Sequence, residues 1–99
     1  MRVIALSTLR AFYEQHRFAD ARLPLSQWYA HVKNIKWVSP ADVKADFGNA
    51  SVLRGGRVVF NIAGNKYRII AKINYPYGIV YVRFVGTHAE YDVIDAENV

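Results

Sequence analysis

Residues Gly86 to Asp92 read GTHAEYD and follow directly on the strand-like run IVYVRFV (79–85), which presents Arg83. Histidine exchanges protons near neutral pH, and tyrosine is a second proton-transfer group. Arginine offers a planar fork of donors that matches phosphate oxygens. This set of groups suits RNA cleavage, in which a ribose 2′-OH loses a proton and attacks the adjacent phosphorus. The phosphorane's added negative charge must then be stabilised, and the leaving 5′-oxygen must gain a proton. No metal or other cofactor is needed for that reaction. The chain has no carboxylate cluster for magnesium, and His16, His31 and His88 lack metal-site spacing. The glycine of AGNK (63–66) is turn chemistry, because neither GxxxxGK[ST] nor GxGxxG occurs.

Each residue also has a structural reading. A histidine such as His88 taken alone is more often a capping or packing residue than a catalyst, and Tyr91 would pack its ring on the sheet edge. Arg68 and Arg83 would serve as surface solubilisers, and Asp92 would pair with a nearby cation or close a helix. His16 fits an apolar helical stripe, nothing singles out His31, and Trp28 and Trp37 read as core anchors.

The elements that must position these groups fall into two halves. Arg2 to Ala5 reads as a short strand. Ser7 then caps a helix with Leu9, Phe12, Tyr13 and His16 at i, i+3, i+4, i+7. A second helix follows Asp20, tolerates Pro24 in its first turn and buries Leu25, Trp28, Tyr29, Val32 and Ile35. Ser39-Pro40 starts a short helix over 40–46. Beyond the Gly55-Gly56 turn, RVVFNI (57–62), YRIIAKIN (67–74) and IVYVRFV (79–85) form an antiparallel meander joined by AGNK and YPYG. Thr87 caps a last short helix that brings His88 and Tyr91 together on its first turn. The fold class is α+β, with N-terminal helices packed on one face of an antiparallel sheet and a short C-terminal helix.

Period-2 alternation assigns the faces. Pairing Asn74 with Ile79 sets Lys72 opposite Tyr81 and Ile70 opposite Arg83, and pairing Ile62 with Tyr67 sets Asn61 opposite Arg68. Arg57, Asn61, Arg68, Lys72, Tyr81 and Arg83 then share an open, cationic face. Phe60, Ile69, Ala71, Ile73, Val80, Val82 and Phe84 share the helix-covered one.

Charge placement agrees. Between Asp46 and Glu90 there is no acidic residue, while Arg54, Arg57, Lys66, Arg68, Lys72 and Arg83 all fall there, in a chain of net charge +5. An uncompensated basic surface attracts polyanions, of which nucleic acid is the commonest in the cytosol. Ninety-nine residues make one domain, 1–99, whose 53% hydrophobic content argues against disorder. Without cysteine, packing alone must hold it. No apolar run approaches the roughly 18 residues of a membrane span, and the N-terminus has no signal-peptide pattern, so a cytoplasmic setting is expected.

FNIAGNKYRIIAKINY followed by IVYVRFVGTHAEYDVID closely resembles the HigB-type toxins of bacterial toxin–antitoxin pairs, within the RelE-like group of mRNA interferases. The likeness is dense over Val58 to Asp95 and looser over the helical half. It implies a RelE-like toxin fold and metal-independent cleavage of mRNA on the translating ribosome, leaving a 2′,3′-cyclic phosphate. It also implies neutralisation by a HigA-like helix-turn-helix antitoxin, with operator DNA bound only through that antitoxin. Carried over by position, Lys66, Arg68 and Arg83 bind the scissile phosphate, and His88 is the general acid or base. Tyr91 then orients substrate or shares proton transfer, and Asn61, Asn65 and Lys72 are peripheral RNA contacts. Two further readings use the same face: a non-catalytic RNA- or DNA-binding module, and a domain docking an acidic protein.

Overall fold

A computed structural model describes all of residues 1–99 as an α+β fold. The strands are β1 (Arg2–Ile4), β2 (Ser51–Val52), β3 (Arg57–Ile62), β4 (Tyr67–Asn74) and β5 (Ile79–Thr87). They form one sheet in the order β1-β5-β4-β3-β2. β2 to β5 pair antiparallel, while β1 joins β5 in parallel and makes the sheet mixed. The helices are α1 (Leu6–Tyr13), α2 (Arg22–Lys33), α3 (Pro40–Asp46) and α4 (His88–Asp92). No helix is long and apolar enough to cross a membrane.

Hydrophobic spacing explains the first helices. Leu9 and Phe12 are buried on α1, and Leu25, Trp28 and Val32 on α2, all facing the sheet. Pro24 sits in the first turn of α2 and Pro40 opens α3, where no intrahelical N–H is lost. Two expectations on α1 fail. Ala5, not Ser7, is its N-cap, and the helix stops at Tyr13, so His16 is exposed at the start of a 3₁₀ segment. An i+7 position needs a helix long enough to reach it, and the chain turns first.

The core lies between the helices and one sheet face. Phe60 is its centre: Trp28 and Phe47 meet it edge-on at 5.3 and 5.1 Å, and Trp37 stacks at 5.9 Å. Trp28 and Trp37 are thus core anchors, 3% and 2% exposed. His31, which the sequence left unassigned, bonds its Nε2 to the Asp46 carboxylate at 2.8 Å, and Trp37 Nε1 donates to the same carboxylate at 3.1 Å. That network ties α2 to α3.

Strand register follows the sequence alternation except at one place. Asn61 faces Arg68, Lys72 faces Tyr81 and Asn74 faces Ile79 as expected. Ala71 faces Val82, but Ile70 faces Phe84 and not Arg83, so β5 carries one extra residue. A bulge sets two residues against one and shifts the parity of everything after it. Arg83 keeps its place on the face away from the helices. Phe84 and Gly86 join it there, whereas Val85 turns inward onto the core. Phe84 was expected in the core, and the bulge moves it out.

Candidate active site

α4 is held at the exit of β5 by its own sequence. Thr87 Oγ1 accepts from the Glu90 N–H at 3.1 Å, and Glu90 Oε1 accepts from the Thr87 N–H at 2.8 Å. This reciprocal capping box satisfies two donors that would otherwise be orphaned, and it starts the helix at His88. The His88 N–H donates to the Lys66 carbonyl at 3.3 Å, which pins the helix start to the β3–β4 turn.

That pin brings Arg68, Tyr91 and His88 into one place. Arg68 faces Gly86 across the ladder, and its guanidinium carbon lies 5.6 Å from the Tyr91 ring centroid, a cation–π distance. Gly86 itself is closely packed. A Cβ there would stand 2.5 Å from the Phe84 ring and 3.0 Å from Glu90 Oε1. His88, three residues before Tyr91 on α4, holds its Nδ1 2.9 Å from Asp92 Oδ2. With Nδ1–H donating to that carboxylate, the imidazole is oriented and Nε2 is left for another partner.

Arg68 departs from expectation. The sequence reading projects it into solvent beside Arg83, yet it is only 7% exposed. Tyr91 and the turn cover it, and alternation along a strand says nothing about a helix folding back over the face. Its Nη1 donates to the Asn65 carbonyl at 2.8 Å. No carboxylate pairs with it, and the fully buried unpartnered side-chain atoms are Trp28 Nε1 and Tyr75 Oη, so the other guanidinium N–H groups still reach the surface. A nearly buried charge without a counter-charge is an incomplete ion pair.

The remaining candidates are less close. Arg83 is exposed on the same face, three positions before Gly86 along β5. Lys72 is exposed opposite Tyr81. Asn61 faces Arg68, but its Nδ2 donates to the Asn49 carbonyl at 3.2 Å, and it lines a cleft of about 370 Å³ with Trp28, His31 and Phe47 at the sheet edge. Asn65 contributes its carbonyl to Arg68 and adopts a positive φ of 86°. Lys66 lies outside the cluster at its amine, which bonds the Asp20 carboxylate alongside the Tyr67 hydroxyl. The hydrogen bond from Lys66, then that from Tyr67, holds the Asp20 carboxyl below the usual range, and Asp20 pulls Lys66 above its own. Burial, then Asp20, raises the Tyr67 phenol.

Sequence reasoning missed two residues. Asp92 was given only structural roles, although its i, i+4 spacing from His88 was a usable signal once a helix was expected there. Phe84, half-buried beside Gly86, had no signal, because the bulge that exposes it leaves no mark in the alternation.

Comparison with known proteins bears on the same segment. A family model described as HigB toxin, the RelE-like toxic component of a toxin–antitoxin system, matches residues 21–94. The chain is also similar to the mRNA interferase HigB of Escherichia coli O6:H1 (strain CFT073), at 28% identity over 78 residues, covering 77% of this chain and 76% of that protein.

Proposed function

Because the chain belongs to the HigB family of RelE-like toxins of toxin–antitoxin systems, we propose that it is an endoribonuclease that cleaves mRNA. The observation that carries the reading is the unpaired, nearly buried Arg68 beneath Tyr91, on the helix that holds the His88–Asp92 pair. That arrangement supplies phosphate binding and proton transfer at one point of a sheet whose residues 47–89 contain no acid.

In the proposed mechanism the RNA strand lies on the face away from the helices. Arg68 and Arg83 hold the scissile phosphate and offset the charge that grows on its oxygens, the largest contribution in such reactions. His88, through Nε2, takes the 2′-OH proton or supplies one to the 5′-oxygen, and Tyr91 orients the substrate or shares the transfer. The O2′–P bond forms as the P–O5′ bond breaks, leaving a 2′,3′-cyclic phosphate. Asn61, Asn65 and Lys72 are peripheral RNA contacts, and Lys66 becomes one when its amine leaves Asp20. The substrate is mRNA on the translating ribosome in the cytoplasm. A HigA-like antitoxin covers or distorts the basic face with acidic side chains, and operator DNA is bound only through it.

Expression of the protein alone in a bacterium tests the reading. The unsubstituted chain slows growth and cuts transcripts, and Arg83→Ala and His88→Ala abolish both. His88→Ala costs about 10²–10⁴ in cleavage rate, the range for one acid–base group. A chain that neither slows growth nor cuts transcripts at any induction level overturns the enzyme. Salt-sensitive RNA binding that survives His88→Ala, without cleavage, assigns a binding module instead.

A further inference from the structure

The site above uses one end of the sheet's outer face. At that end Asn61, Arg68 and Gly86 face one another across β3, β4 and β5, and at the other end Arg57, Lys72 and Tyr81 do. Four residues along β4 separate Arg68 from Lys72, about 13 Å at the rise of a strand. Between them stand Val59 and Ile70, only 2% and 0% exposed although the helices pack on the opposite side.

The segment 93–99 links the same two ends of the face. It leaves α4 beside Arg68 and reaches Arg57, whose Nε donates to the Val99 carbonyl at 3.1 Å. Between those two points Ile94 and Ala96 are half-buried, as is Val99 at the Arg57 end. It carries two acids, Asp95 and Glu97, and follows Glu90 and Asp92 of α4.

The far end of this segment sits on a pair of arginines. Arg54, Gly55, Gly56 and Arg57 form a tight 3₁₀ turn in which both glycines have positive φ, 68° and 75°. The Arg57 guanidinium lies across Gly55, where a Cβ would meet Nη1 at 3.0 Å. Both arginines therefore line one polar groove, together with Asp95, Glu97 and Asn98. Glu97 Oε2 is 3.9 Å from Arg54 Nε, and the Arg54 side chain is 95% exposed. A long, exposed ion pair of this kind contributes almost nothing to stability. An incoming polyanion displaces it at little cost.

We propose that Arg54 and Arg57 form a second backbone-phosphate subsite for single-stranded RNA, filled by the chain's own Asp95–Val99 segment until substrate displaces it. The proposal rests on the nuclease reading and extends the RNA track from the cleaved bond, past Lys72, to the far edge of the sheet. The acidic segment stands where the RNA backbone would lie, and its carboxylate occupies the position of a phosphate oxygen. Substrate affinity is then set partly by competition within the chain.

The test measures binding of the purified chain to a 2′-O-methyl single-stranded RNA, which has no attacking hydroxyl, over a series of salt concentrations. The double variant Arg54→Gln/Arg57→Gln binds roughly tenfold more weakly. Its slope of log affinity against log salt falls by about 1.4, some 0.7 for each phosphate that is no longer neutralised. Asp95→Asn/Glu97→Gln binds roughly threefold more tightly, because the occupant is weakened and the site is not. That second variant alters only exposed side chains, so it decides the matter even if the arginine variant folds poorly. Unchanged affinity and slope in the arginine variant, or no tightening in the acid variant, overturns the subsite. If the unsubstituted chain meanwhile cleaves ordinary RNA, the subsite falls alone. If it neither binds nor cleaves RNA, the parent reading falls with it.

Discussion

Burying a guanidinium costs several kcal/mol unless its donors and its charge are met. Arg68 meets one nitrogen with the Asn65 carbonyl and leans on the Tyr91 ring, but no carboxylate answers its charge. Its charge is thus both nearly buried and unpaired, whereas that of Arg83 is exposed to solvent. The same scale shows what Asp92 does. His88 and Asp92 are each about half exposed, so their bond is worth little to folding, yet it fixes which imidazole nitrogen faces outward. Asp92→Asn is expected to lower kcat roughly three- to tenfold with KM nearly unchanged, the worth of one partly hydrated hydrogen bond. Steady-state cleavage of a short RNA checks it, and a rise in KM alone would show that Asp92 acts on binding.

At the level of elements, α4 has only five residues, too few for intrinsic helicity to hold it. Its stability comes from the capping box, the pin between His88 N–H and the Lys66 carbonyl, and Tyr91 packing on Arg68. Thr87→Ala removes the acceptor for the Glu90 N–H and costs about 1 kcal/mol of local stability. Amide exchange at Glu90 should then speed up about fivefold, cleavage should fall with it, and Thr87→Ser should restore both. Unchanged exchange would mean that packing alone holds the helix. The bulge in β5 matters as much, because it lets one strand set Arg83, Phe84 and Gly86 on the outer face while Val82 and Val85 stay on the core side.

Across the whole molecule, Asp20 joins the helical layer to the β3–β4 turn by accepting from both Lys66 and Tyr67. The Asp20 carboxyl is held below its ordinary value, so the stability it contributes is complete above about pH 4 and is lost as pH falls below that. Lys66 is shifted upward, so its share persists until about pH 10.4 and declines only above it. Asp20→Asn should lower the melting temperature at neutral pH, and the two proteins' melting curves should converge as pH drops below about 4. A gap that stays constant down to pH 2 would exclude the ionised carboxylate as its source. Because the same turn carries the Asn65 and Lys66 carbonyls that fix Arg68 and His88, the variant should also lose cleavage activity at neutral pH.

The amino-acid sequence by itself determined the α+β class, three strands of the meander, the start of α3 at Pro40 and the Thr87 cap. These follow from periodicity, turn residues and capping chemistry, which act over a few neighbouring positions. It also placed Arg68, Asn61 and Lys72 on one face, since alternation is rigid wherever a strand is regular. Only the tertiary structure decided that Arg68 is buried under Tyr91, that Lys66 is engaged by Asp20, and that the segment after α4 ends against Arg57. Those outcomes depend on where distant parts of the chain come to rest, and on one extra residue in β5. Local spacing carries no record of either.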